Sequence, residues 1–418
     1  MTRLTWLLFL LAMPPLTAQT AREPGTNLQA FLLTMGAGEH IDARFGHNAI
    51  WIHDSVTGQD LVYNYGTFDM GTDASDVLAF AGRFAMGRPR YWLGVLDMRQ
   101  TVNVYTYFRR NLEQQELDLL PAQRADLAQR LATNALEAHR YYIYDYYRDN
   151  CSTRVRDILD AVLGGALRRA TIGRPAEGTL RFHSLRSVTN DKLLFLGIDA
   201  GLGTPVDGVL DQWGEMFLPE KVQERVREIR IPGADGREVP LVKAEGRILE
   251  FNVYHVDPAP PKWGALWLGI GALVALLIGT GRARGSLGVP GRLVATAWAL
   301  AIGLGGLVLC FLWFVSHHVA TVWNLNLFYC SPVALVLLFG IWGDRTYRPN
   351  KLVAGSAGFV MLAVVIGVAM TLVGVQQNQV IAQLTALPTL VLAFGIMERL
   401  SRRRDEALPL PQSVQGTT

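Results

Sequence analysis

Asp149-Asn150-Cys151-Ser152-Thr153-Arg154 closes a tyrosine-dense run and opens a helix, and its reading decides the fold. Beyond it, Val155, Ile158, Leu159, Val162 and Leu163 recur at the spacing of one apolar helix face, with Asp157 and Asp160 off that face. Gly164-Gly165 supplies the stop. Cys151 is therefore predicted in a first turn, where unpaired N–H groups and the helix dipole favour an anion and lower a thiol pKa. It is the only cysteine in the first three hundred residues. Cys310 and Cys330 lie in apolar segments, where a cysteine serves as a small hydrophobe. Two readings of Cys151 stand together: a nucleophile, and an inert thiol at the head of a core helix.

Upstream, Phe31-Leu32-Leu33-Thr34-Met35 reads as a strand ending in Gly36-Ala37-Gly38. Residues 48–54 and 61–65 are β-branched and aromatic, and Thr57-Gly58-Gln59-Asp60 turns between them, so they read as a hairpin. His47 opens its first strand directly after Gly46, where the backbone bends freely. It is the candidate base. His53, six residues on, shares its face on a regular strand but lies beside the turn, as a solvated strand end. His40 falls in a loop, and His139 and His183 have no flanking motif. Asn64 and Tyr65, with Tyr63, are candidates to orient the histidine from the partner strand. No cluster of His, Cys and Asp has metal-ligand spacing, so neither a metal nor another cofactor is expected.

Residues 66–90 read as glycine-rich loop with a short helix, 91–96 and 101–108 as strands, and 121–138 as a helix with Leu127, Ala128, Leu131 and Ala135 on one face. The five tyrosines of 141–147 read first as half-buried packing whose hydroxyls find partners, and second as a wall of the active site. Helices are predicted over 184–201 and 219–229, and a last hairpin over 238–242 and 247–253.

The composition of the 418-residue chain divides it in two. Up to about residue 260 charges are mixed; after it they are confined to short patches. A net charge of +3 without a basic, aromatic-interleaved stretch gives no sign of a nucleic-acid partner. Arg3, the apolar run from Leu4 to Leu11 and the small residues before Ala18 read as a signal peptide over 1–18. An exported domain follows over 28–255, a proline-rich linker over 256–262, a transmembrane domain over 263–400 and a tail over 401–418. Five segments, about 263–280, 293–315, 327–343, 352–374 and 380–397, approach the length of a span. Arg282, Arg284 and Arg292 follow the first, Arg345, Arg348 and Lys351 the third, and Arg399, Arg402, Arg403 and Arg404 the fifth. The other two connections carry no lysine or arginine. The positive-inside rule then leaves the front domain outside and the C-terminus in the cytoplasm. An unpaired thiol in an exported domain is a liability unless it reacts.

Phe45-Gly46-His47, Val62-Tyr63-Asn64-Tyr65-Gly66-Thr67-Phe68 and 149–154 together resemble the exported domain of Lnb-type bacterial lipoprotein N-acyltransferases, as do Pro205-Val206-Asp207 and the stretch from Trp213 to Pro219. The order of histidine before cysteine, with an Asn-Cys pair opening a helix, also resembles circularly permuted NlpC/P60 (papain-like) enzymes, including the lecithin:retinol acyltransferase group. The resemblance implies an α+β fold: a permuted papain-like exported domain followed by an all-α transmembrane domain of five helices, at the bacterial inner membrane with the catalytic domain periplasmic. It implies Cys151 as nucleophile and His47 as base. A membrane phospholipid would donate the acyl chain and diacylglyceryl lipoproteins would accept it. Asn150 and Arg154 beside the thiol, and His318, Asn324 and Asn326 in the polar stretch 316–327, are the expected substrate contacts. Two other activities remain open on the residues: a Cys/His hydrolase acting on cell wall or phospholipid, and a non-catalytic membrane-anchored binding module.

Overall fold

The computed structural model describes residues 23–251, 253–283, 288–342, 350–375 and 380–405. The expected signal peptide, the 406–418 part of the tail, the connection 376–379, and Arg284, Arg345 and Arg348 lie outside the described residues.

The N-terminal part is built on antiparallel pairing. In chain order come β1 (Leu28–Met35), β2 (His47–Asp54), β3 (Gln59–Thr67), α1 (Ala74–Ala85), β4 (Arg90–Asp97), α2 (Met98–Tyr107), β5 (Leu112–Leu117), α3 (Pro121–Asn134), β6 (Tyr141–Ile143) and α4 (Cys151–Val162). Then follow α5 (Ala166–Thr171), β7 (Pro175–Thr179), α6 (Leu180–Arg186), α7 (Lys192–Gly201), β8 (Val209–Asp211), α8 (Gln212–Glu215), α9 (Pro219–Glu228), β9 (Arg230–Pro232), β10 (Glu238–Pro240) and β11 (Val242–Leu249). Seven strands form one sheet in the order β11-β5-β1-β2-β3-β4-β6. Because side chains alternate along a strand, Leu32, Ile50 and Tyr63 face a core shared with α3, α4 and α9. Leu33, Ala49 and Val62 face a second core under α2. A sheet covered on both faces explains the unbroken apolar run in β1.

Three local expectations change. The expected strand 101–108 is instead the body and C-cap of helix α2: Asp97 caps it and the Gln100 side chain accepts from Asp97 N–H, a capping box. Residues 184–201 split into α6 and α7, because Asp191 caps a new helix with bonds from Leu193 and Leu194 N–H. The expected last hairpin does not form. β10 pairs with β9, and β11 pairs with β5, from Val242 opposite Leu117 to Leu249 opposite Leu112.

The C-terminal part is helical: α10 (Gly264–Ala283), α11 (Val289–Phe314), α12 (Leu337–Trp342), α13 (Lys351–Leu372) and α14 (Val380–Asp405). Among the described residues, four segments are long and apolar enough to cross a membrane, at Val289–Phe314, Leu325–Trp342, Lys351–Leu372 and Val380–Glu398; the apolar stretch Gly264–Thr280 is shorter. Leu325–Trp342 is not a continuous α-helix, since 3-10 turns at Leu325–Phe328 and Pro332–Val336 precede α12. The two halves meet through backbone. Gly203 N–H donates to Ala320 O at 2.8 Å and Thr204 N–H to Trp323 O at 3.4 Å.

Candidate active site

Asn150 is the residue that places the thiol. Its backbone is extended, and its side-chain oxygen accepts from the Ser152 and Thr153 N–H groups, both at 2.9 Å. Thr153 completes the box by accepting from Asn150 N–H at 2.8 Å. The Asn150 amide donates to Tyr146 O and Phe217 O, each at 2.9 Å. Cys151 is thus the first residue of α4, and behind it Val155, Ile158, Leu159, Val162 and Leu163 are all buried, as their spacing predicts. Gly164 and Gly165 end the helix with left-handed backbone.

The sheet brings the imidazole to the thiol. Gly46 turns at φ 79 with its position packed on Met35 O, so β2 begins at His47, opposite Met35. β3 bulges between Tyr65 and Thr67, and Gly66, at φ 91, passes beside the thiol: a Cβ there would lie 3.5 Å from that of Cys151. Burial opposes ionisation of the Cys151 thiol. The His47 charge and hydrogen bond, the Asn48 backbone N–H and the Ser152 hydroxyl outweigh it, and the thiol falls to about 7. A cysteine at this value is half thiolate at neutral pH.

Tyrosines wall the site. The Gly66 position is 3.9 Å from both the Tyr142 hydroxyl and the Tyr144 ring. Burial, and after it the nearby Cys151 charge, raise Tyr142 and Tyr144; burial likewise raises Tyr105, to about 12. The Tyr142 hydroxyl is buried with no hydrogen-bond partner among the described residues. The packing role read for 141–147 holds for Tyr147, whose hydroxyl meets Ser184 Oγ at 2.6 Å, but leaves Tyr142 unexplained. Arg154 stacks 3.6 Å over the Tyr142 ring and is held by both oxygens of Asp149, at 2.5 and 2.7 Å. The Asn48 N–H has no signal in the sequence, because a backbone donor carries no side-chain signature.

The other expected site residues are placed as follows. The Asn64 amide donates to Val62 O at 3.1 Å, and the Tyr65 hydroxyl accepts from Asn134 at 2.7 Å; neither bond involves His47. His53 pairs with Asp60 at 2.8 Å, at the far end of β2. His318 bonds Phe84 O at 2.9 Å and the Tyr146 hydroxyl at 3.4 Å, and burial lowers its pKa. Asn324 and Asn326 are buried. The first donates to Ala200 O and Gly201 O at 2.8 and 3.0 Å, the second to Ala200 O at 2.9 Å. Their amides, like that of Asn150, are engaged by backbone.

No curated protein and no solved structure matches the chain. Family comparison does. Residues 17–189 match the Lnb N-terminal periplasmic domain, and residues 266–403 match the Lnb transmembrane domain. Both halves fall, in this order, on the sheet-rich and the helical parts, and the protein belongs to the Lnb family, with the architecture of a Lnb-type lipoprotein N-acyltransferase.

Proposed function

We propose that Cys151 carries an acyl chain from a membrane phospholipid to the α-amine of the diacylglyceryl-cysteine of lipoproteins. The observation that carries this reading is the thiol on the first turn of α4, lowered to about 7 by His47 and the Asn48 N–H. The thiolate attacks the ester carbonyl, and the tetrahedral intermediate expels the lyso-lipid alkoxide, which takes the proton held on His47. The resulting thioester is attacked by the lipoprotein amine. His47 accepts the amine proton as the C–S bond breaks, and the N-acyl lipoprotein leaves. The Asn48 N–H, and the buried Tyr142 hydroxyl, are the donors available to the developing oxyanion. His47 needs an orienting group, and Asn64 and Tyr65 are retained as its candidates. Asn150 and Arg154 act by positioning the thiol turn and the tyrosine wall. His318, Asn324 and Asn326 act by holding the membrane half against it.

A permuted papain-like arrangement accounts for a cysteine at a helix N-terminus facing a histidine on a sheet. In this reading α10 is the first of five spans, the arginine-bearing connections face the cytoplasm, and the site faces the periplasm. Both substrates reside in the bilayer, which fits a membrane domain better than a soluble substrate does. Mass spectrometry of lipoproteins from a deletion strain complemented with the wild type or Cys151→Ala decides the matter. The wild type restores N-acylation and the variant does not; equal N-acylation overturns the role of Cys151. Release of free fatty acid by the purified protein, without any need for a lipoprotein, would instead identify a hydrolase.

A further inference from the structure

The least covered element of the periplasmic part is α1. At 100° per residue, Val77, Leu78, Phe80, Ala81 and Phe84 fall on one arc, with Ser75, Ala79 and Arg83 opposite. Phe80, at one edge of that arc, is half-buried, and Phe84 beside it meets the rings of Phe80 and His318 at 6.4 and 6.2 Å between centroids. Phe80 stacks with Phe68 and Tyr91, and Tyr91 stacks on Tyr144, which borders Cys151. The rest of the arc is open: Leu78 is 73 % exposed, Val77 46 % and Phe84 45 %. A helix with three large apolar residues uncovered on one side marks a contact surface.

The position of α1 identifies what covers it. Its C-terminal end is tied to the segment that leaves α11, the first long span. His317 N–H donates to Met86 O at 2.9 Å, and His318 Nε2 meets Phe84 O at 2.9 Å. Gly87 packs so close that a Cβ would lie 2.9 Å from the His318 nitrogen. The same end of α11 exposes Phe314 and Val315, and Trp313 packs on an exposed Trp323, an aromatic pair suited to a membrane–water boundary. Arg83 and Arg88, both exposed, put two cations at this tied end of α1, a charge that suits anionic headgroups.

We propose that α1 lies in the outer leaflet of the membrane, its open arc against lipid. From there the Phe68, Phe80, Tyr91 and Tyr144 stack is the path along which a donor acyl chain reaches Cys151. The path, though not the membrane contact, rests on the acyl-transfer reading. The test uses the full chain, with its three cysteines replaced by alanine, in vesicles of phosphatidylethanolamine and phosphatidylglycerol. A spin label is placed at Leu78→Cys, or on the opposite side at Ala79→Cys. The Leu78 label should collide with oxygen at least fivefold more readily, relative to a water-soluble nickel chelate, than the Ala79 label does. Equal ratios at the two positions overturn the contact, and this readout needs no acyl transfer. In the otherwise intact enzyme, Leu78→Glu should lower lipoprotein N-acylation at least tenfold while the iodoacetamide reactivity of Cys151 stays the same. Undiminished N-acylation overturns the path.

Discussion

The chemistry of Cys151 depends on a balance between burial, which resists the thiolate, and three groups that favour it: His47, the Asn48 N–H and the Ser152 hydroxyl. With the thiol at about 7, the thiolate is the majority form above neutral pH, and reactivity is lost as pH falls through 7. Iodoacetamide alkylation of the wild type should therefore reach half its plateau near pH 7. In His47→Ala the cation and one hydrogen bond are gone while burial remains, so the midpoint moves up by about a unit or more, and the rate at pH 7 falls at least about fivefold. An unchanged midpoint in His47→Ala would show that the imidazole does not act on the thiol. Much of this residue-scale picture was legible. A cysteine after a capping residue and a histidine after a glycine are both sequence signals. The Asn48 N–H was not, because a backbone donor has no side-chain signature.

At the scale of the element, α4 is the part the chain specifies most locally. Its apolar stripe, its asparagine cap and its double glycine stop are all contiguous in sequence. Asn150 also ties this helix to distant backbone through Phe217 O, so two of its functions can be separated. Asn150→Asp keeps the oxygen that caps α4 but loses the two donated bonds; Asn150→Ala loses both. We expect a lowered thermal midpoint in each, larger for alanine by the roughly 1 kcal/mol typical of a lost cap, as read by differential scanning fluorimetry. Equal midpoints for Asn150→Ala and the wild type would contradict the capping role. Elements fixed by distant partners were harder to read. In α2, Val102, Val104, Tyr105 and Tyr107 resemble strand chemistry, and packing on Met35, Ala49 and Leu112 overrides that preference. β11 is separated from its partner β5 by more than a hundred residues, and no turn signal encodes that pairing.

Across the whole molecule, the periplasmic and membrane halves are joined where α7 ends. Arg181, buried with Asp199 and Asp207, binds the Leu202 and Gly203 carbonyls, and Asn324 and Asn326 bind the carbonyls of the last α7 residues from the membrane side. Gly203 lies so close to the opposite chain that an added Cβ would sit 1.9 Å from Val322 O. Gly203→Ala should force the two segments apart, at about 1–3 kcal/mol for overpacking, and raise proteolysis of 316–326 in the purified protein. Gly208→Ala, where nothing lies within 4 Å, should leave both midpoint and cleavage unchanged. Equal cleavage of the two variants would mean that the junction yields without cost. The sequence marks the polar run 316–326, and the structure adds its bonds to α7. Its engagement with α7 is a contact between residues more than a hundred positions apart, which composition and periodicity do not report.

That junction has a further consequence. Gly203 and Thr204 are latched by main-chain bonds to Ala320 and Trp323. On the proposed reading this latch would keep Cys151 at one altitude over the lipid surface and leave the travelling to its visitors. A lipoprotein acceptor would then approach by drifting sideways in the leaflet, and the reach of the linker between its lipidated terminus and its first folded module would set how near it comes. Clients with short linkers would be stopped by their own bulk, while those with long ones would dock freely.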